Sequence, residues 1–258
     1  MGQEVKRVKL SVWEILTNGA KFYKQHFRKL APAAAVLSLF MALTSIMTFV
    51  LALGQNNNNS ILLLFGLVLG PVVLLASLIF GTKVTIALYI LINDQYVVYN
   101  KHPLNFLRAY EKTWGKFWIT VGYMLLISLW ILVPNIILMG REIPYLYLIN
   151  TGLSAVVMAY YYFLLPMIAI EPKSSEYARQ AVKLAKGNRI RLFALQVITV
   201  SVFGLLNNIF TNMFTSNPVM ALVVGLLSAG IYFFTNTYAC IIAVAAYRKV
   251  AHAGKKIK

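Results

Sequence analysis

The stretch ILLLFGLVLGPVVLLASLIFG, from Ile61 to Gly81, carries no charged side chain. The hydrocarbon core of a bilayer is about 30 Å thick and needs about 20 apolar residues at a rise of about 1.5 Å each. This stretch alone meets that need. Similar runs recur on both sides of it, so spans are expected at 30–53, 61–92, 117–139, 145–170, 190–214 and 219–247. The second and sixth runs exceed what a bilayer requires and should tilt or extend past it. The 258 residues are 60% hydrophobic and only 12% charged, with a mean hydropathy of +0.72, and a soluble domain of this size needs more charge to cover its surface. The expected fold is an all-α integral membrane protein, a single polytopic domain over 1–258 with six transmembrane helices.

The charge pattern orients these spans. The net charge is +17, from 24 Lys and Arg against 7 Asp and Glu. In a soluble chain that balance would point to nucleic acid. Here the bases lie between apolar runs, which points to topology and anionic lipid instead. The connections 54–60, 140–144 and 215–218 are tight and carry one base, Arg141. The others are basic. Lys6, Arg7, Lys9, Lys21, Lys24, Arg28 and Lys29 precede the first span. Lys101, Arg108, Lys112 and Lys116 follow the second; Lys173, Arg179, Lys183, Lys186 and Arg189 follow the fourth. Arg248, Lys249, Lys255, Lys256 and Lys258 end the chain. By the positive-inside rule these basic segments and both termini are cytoplasmic, in the cell membrane. The start of the chain, basic and amphipathic, does not read as a cleavable signal peptide. The single cysteine, Cys240, excludes an intramolecular disulfide.

Each odd-numbered span is preceded by a basic amphipathic stretch. Over 1–29 the apolar stripe is Trp13, Leu16, Ala20, Tyr23 and Phe27, started by a capping box of Ser11 and Glu14. The second starts after Pro103, with Leu104, Leu107, Tyr110, Trp114 and Phe117. The third carries Tyr177, Ala181, Leu184 and Ala185. Aligning Phe27, Phe117 and Ile190 brings His26, Lys116 and Arg189 into register. The implied architecture is three repeats of an interfacial helix plus a hairpin of spans. Trp13, Trp114 and Tyr177 should orient the three helices along the cytoplasmic interface.

FLRAYEKTWGKFW, from Phe106 to Trp118, and LPMIAIE, from Leu165 to Glu171, each punctuate an apolar run with bases and aromatics. They resemble elements of the membrane domain that precedes the catalytic barrel of some glycerophosphoryl diester phosphodiesterases, shared by related bacterial six-helix membrane proteins. The resemblance covers nearly the whole chain. It implies the membrane fold and not the activity, because the family's enzymes hydrolyse with a separate soluble barrel.

Chemistry is sparse. His26, His102 and His252 have no partner at ligand spacing, so no metal or other cofactor is expected. No phosphate-binding Gly-rich loop with its Lys occurs, and no Ser or Cys nucleophile has a local base, so no enzyme is expected. Lys83 is the one base well inside an apolar run, and it is expected to snorkel to the cytoplasmic headgroups. Asp94 and Glu171 are expected to pair with nearby bases. Asn135, Asn150, Gln196, Asn207, Asn208, Asn212 and Asn236 are polar groups within spans, expected to bond between helices. With Lys83, Asn135, Asn207, Asn208 and Asn236 form the candidate intramembrane polar site. Pro71 and Pro166 are expected kinks, Tyr160, Tyr161 and Tyr162 an aromatic layer or a lipid-facing site, and 56–59 a flexible external turn.

The candidate lipid-headgroup contacts are Lys21, Lys24, Arg28, Lys112, Lys116, Arg179, Lys183, Lys186 and Arg189. The expected function is non-enzymatic: an accessory or organising protein acting at the cytoplasmic face on anionic membrane lipids or on a membrane or cytoplasmic protein partner. The alternative is a permease or transporter component for a small solute or lipid. A continuous polar lumen would favour the second, and a packed apolar bundle the first.

Overall fold

The computed structural model describes residues 9–97, 104–138, 146–172, 174, 176–201, 204 and 217–253. Every regular element among them is helical: α1 (Val12–Asn56), α2 (Ser60–Tyr96), α3 (Phe106–Glu111), α4 (Trp114–Leu138), α5 (Leu146–Tyr160), α6 (Leu164–Ile170), α7 (Tyr177–Ala185), α8 (Arg189–Gln196) and α9 (Pro218–Ala253). A π-helical turn, Val197–Ser201, continues α8. By length and composition α1, α2 and α9 can each cross a membrane. The pair Thr151–Tyr160 and Leu164–Ile170, bent by 41°, makes a fourth if it is one span. Only 6% of the most apolar window of each long helix is buried in the protein. Ile61, Leu67, Leu75 and Leu227 stand open, as suits side chains that face lipid rather than water. The chain is a membrane-embedded helical protein.

The expected separation of a helix over 1–29 from a first span does not hold, because α1 runs unbroken through both. Pro32 leaves the backbone helical, and Leu30, Ala33, Ala34 and Leu37 hold that region by burial. At 1.5 Å per residue, its 45 residues extend about 67 Å, well beyond a bilayer of about 40–45 Å with headgroups. Its first turns therefore project out of the membrane. Ser11 caps it, accepting the Glu14 amide at 3.4 Å. The Glu14 carboxylate does not return to close the capping box but meets Lys249 Nζ at 2.5 Å.

α2 and α9 both run antiparallel to α1. Gly54 faces Leu63, Phe40 stacks on Phe80, and Lys29 Nζ donates to Gln95 Oε1 at 2.8 Å along α1 and α2. On the other flank Ser45 meets Gly225, Phe27 meets Phe233 and Phe234, and Tyr238 OH donates to the Leu16 carbonyl at 2.9 Å. The turn over 56–59 is built rather than loose. Asn58 takes φ 47°, and Asn59 caps α2 by accepting from the amides of Ile61 and Leu62 at 3.1 and 3.2 Å. Asn217 caps α9 in the same way.

The helix expected to kink at Pro166 breaks earlier, at Tyr161–Phe163, between α5 and α6. Proline lacks the N–H that would reach the carbonyl four residues back, and its ring crowds that carbonyl, here that of Tyr162. Pro71, by contrast, sits inside a continuous α2.

The core is gathered at one end. Val84 and Ala87–Ile92 on α2, Phe163–Ala169 about α6, Leu192 and Leu195 on α8, and Cys240–Tyr247 on α9 supply much of it. The basic connections meet there. The Leu10 amide donates to Asn188 Oδ1 at 2.9 Å, the Leu104 amide to Asp94 Oδ2 at 2.8 Å, and Arg248 to Asn93 Oδ1 at 2.7 Å. The first and last described segments lie at this basic end, and the Asn59 and Asn217 caps lie at the far end.

Candidate functional site: a basic end above a tyrosine-lined chamber

α7 shows how the basic end is built. Its apolar stripe at spacings of four, Tyr177, Ala181 and Ala185, is fully buried where α7 packs on α5 and α6. The stripe therefore faces protein and not lipid, and Tyr177 does not orient the helix at an interface. Tyr177 OH donates to the Pro172 carbonyl at 2.6 Å. Arg179, Lys183 and Lys186 are turned outward as a result. Lys21, Lys24 and Arg28 on α1 and Lys112 after α3 are exposed at the same end. Trp13 and Trp114 also remain exposed. The expected start of the second amphipathic stretch at Pro103 lies outside the described residues; α3 is capped instead by Asn105, which accepts the Arg108 amide at 2.9 Å.

Lys116 and Arg189 are engaged inside. Lys116 Nζ donates to the carbonyls of Ala169 at 2.6 Å and Glu171 at 3.1 Å, closing the end of α6 where carbonyls lack helical partners. Burial pushes the ammonium's pKa down, and the nearby Glu171 acts against that shift. The Arg189 guanidinium lies 4.3 Å from the centre of the Tyr160 ring, and its buried Nε has no hydrogen-bond partner. Lys112 and Lys116 both border a cleft of about 300 Å³ with Asn93, Asp94 and Leu104.

Lys83 corrects the snorkelling expectation. It is only 2% exposed, and its ammonium lies 3.5 Å from the Trp114 ring centre and 4.2 Å from that of Tyr110. α3 and α4 pack over α2 and bring both rings onto the ammonium. Such contacts contribute about 0.5–2 kcal/mol, more as the site is desolvated. Glu171 departs from its expected pairing with a base, and Asp94 has polar partners close by. Asp94 takes the Leu104 amide and, at 3.4 Å, Gln95 Nε2. Glu171 accepts from Tyr247 OH at 2.7 Å.

Deeper in the bundle lies a chamber of about 410 Å³. Five tyrosines line it: Tyr89, Tyr123, Tyr161, Tyr162 and Tyr232. Thr85, Ser128, Gln196, Thr199, Asn236 and Cys240 add polar atoms, and among the described residues no charged one borders it. A second cavity of about 210 Å³ shares Thr199, Val200, Tyr232, Asn236 and Ala239 with the first. Of the candidate polar site, Asn236 borders both cavities, while Lys83 borders neither. Asn207 and Asn208 lie outside the described residues, as does the side chain of Asn135. Among the described residues no cluster of His, Cys, Asp or Glu has the makings of a metal site.

The aromatic cover of Lys83 and the tyrosine ring of the chamber were missed in the sequence. Their parts are scattered over α2, α3, α4, the break between α5 and α6, and α9, with no common spacing. The only signals were the adjacent Tyr160–Tyr162 and the isolated Gln196 and Asn236 within apolar runs. Comparison of the chain with protein-family models, with curated proteins and with solved structures finds no match, so the functional reading rests on this geometry.

Proposed function

We propose that this protein crosses the membrane six times, with its basic end in the cytoplasm, and works without catalysis as an organiser of anionic lipid at that face. One observation carries the reading: Lys21, Lys24, Arg28, Lys112, Arg179, Lys183 and Lys186, drawn from three separate segments, are all exposed at the end where the core is densest. Each base near an anionic surface contributes about 1 kcal/mol, reduced by salt. The burial of the α7 stripe makes this a rigid presentation, with cations fixed on a packed end rather than on a helix adrift in the interface. The related reading, that the same face meets an acidic protein partner, draws on the same charges.

The test replaces Lys21, Lys24, Arg28, Lys183 and Lys186 with Gln and measures phosphatidylglycerol retained by the purified protein in nanodiscs. Arg189 is left intact because it supports Tyr160. A clear fall in retained anionic lipid at unchanged melting temperature is expected. Retention equal to the parent at low salt would sink the lipid role and leave the protein partner. A second reading, a permease component for a small solute or lipid, draws on the intramembrane chamber. Its mark would be flux across proteoliposomes that stops when the chamber is filled.

A further inference from the structure

We infer that the tyrosine-lined chamber binds the head of one uncharged membrane lipid bearing several hydroxyl or ester oxygens, a diacylglycerol being the simplest. This inference does not rest on the role of the basic end. Chamber volumes of this order are typical of small-molecule sites, and about 410 Å³ accommodates a lipid head and the start of its chains. The lining selects the chemistry. With no Lys, Arg, His, Asp or Glu among the described residues at its border, a phosphate or ammonium head would lose its water and gain no counter-charge. Hydroxyls and amides, by contrast, both donate and accept, and so suit neutral oxygens.

Two polar groups there are unspent. Tyr162 is 8% exposed and its buried OH has no partner, and the Asn236 Nδ2 is likewise buried and unpartnered. Buried polar atoms are normally satisfied, and these two border the same chamber. A different feature points to the same place. The π-helical turn Val197–Ser201 supplies Thr199 and Val200 to both cavities, and such turns often mark functional sites. Val200, 43% exposed, lies on the flank of the bundle, where acyl chains can leave toward the surrounding lipid. Met124, Ile127, Met158 and Leu165 give the chain's first carbons an apolar wall.

The experiment uses the full chain in phosphatidylcholine nanodiscs with a diazirine-bearing diacylglycerol, irradiated and mapped by peptide. Labelling is expected on the α8 to π-turn segment and on α9 around Tyr232–Cys240. Tyr162→Phe and Asn236→Leu should each weaken labelling about fivefold, as befits the loss of one neutral hydrogen bond. Ala239→Phe, which fills the space between the cavities, should abolish it. Phosphatidylglycerol carrying the same diazirine should leave these peptides unlabelled. Equal labelling by the phosphatidylglycerol probe, or by a single-hydroxyl long-chain alcohol, would overturn the inference. So would labelling indifferent to Tyr162→Phe and Asn236→Leu. If Ala239→Phe fails to fold, Tyr162→Phe decides the matter, since it keeps the ring and removes only the hydroxyl.

Discussion

Lys83 places its amine where water is scarce, and the two rings that cover it explain how α2 tolerates it. A buried ammonium must find compensation, and the faces of Trp114 and Tyr110 supply it through their quadrupoles. The contact also ties the start of α4 to the middle of α2. Lys83→Met keeps the stem and removes the charge, and Trp114→Leu removes the better ring. A double-mutant cycle on thermal stability in detergent should give a coupling of about 0.5–2 kcal/mol. Additive effects would mean that the rings merely happen to lie nearby. His26 makes a different prediction. Its imidazole is held below the ordinary 6.5, first by burial and then by Lys29, with a Gln95 hydrogen bond opposing the shift. It packs on Phe22, which stacks on Tyr96 of α2. A base whose folded pKa is lowered binds protons better when unfolded. Stability is therefore full above the unfolded value and is lost as pH falls below it toward the folded value. The melting temperature should decline as pH falls below about 6.5, and His26→Gln should flatten that decline. A variant as acid-sensitive as the parent would place the cause elsewhere.

The long helices hold together through small residues. A Cβ on Gly225 would lie 2.5 Å from Ser45 Oγ, and that hydroxyl is already tied to the Met41 carbonyl at 3.1 Å. Close backbone approach of this kind replaces the hydrophobic drive that helices in lipid lack. Gly225→Val should therefore force α1 from α9 and cost about 1–3 kcal/mol, and Ser45→Gly on the same chain should recover much of it. No recovery would show that the two helices are spaced by other contacts. The long apolar runs made α1, α2 and α9 legible in the sequence, because a membrane demands such runs whatever the packing. Where packing decides, the sequence was mute. The fusion of the amphipathic stretch with the first span depends on burial of Leu30 and Ala33, which outweighs the proline at 32. The break at Tyr161–Phe163 follows from Pro166, but its place lies a turn upstream of the proline. The cover over Lys83 and the ring of tyrosines need four or more elements brought together, and no local spacing encodes that. The basic end was legible as charge, but the engagement of Lys116 with the end of α6 required knowing where α6 stops.

The proposed six-span arrangement turns on where the loops lie, and the two ends of the bundle give it a sharp form. The Asn59 and Asn217 caps lie at one end, and Leu10, Asn93, Asn188 and Lys249 at the other. If α1, α2 and α9 each cross, chain continuity puts positions 57 and 217 across the membrane from positions 9 and 249. Whether α4 and the segment over 190–214 also cross is the open half of the proposal, and Arg141 is its most telling position. If α4 crosses, 141 joins 57 on the outside; if it does not, 141 stays with 101. The native Cys240 is 2% exposed in the core and gives a dark background. Cysteines at Asn57, Arg141 and Asn217 should react with an impermeant thiol reagent on intact cells. Cysteines at Lys9, Lys101, Lys173 and Lys256 should react only after permeabilisation. A silent Arg141→Cys would reduce the count by the α4–α5 hairpin, and a reactive Lys173→Cys would break the arrangement altogether. Either result would also move the exposed bases of one segment away from the others. The gathering of Lys21, Arg28, Lys112 and Lys183 on one face holds only if all the basic loops share a side.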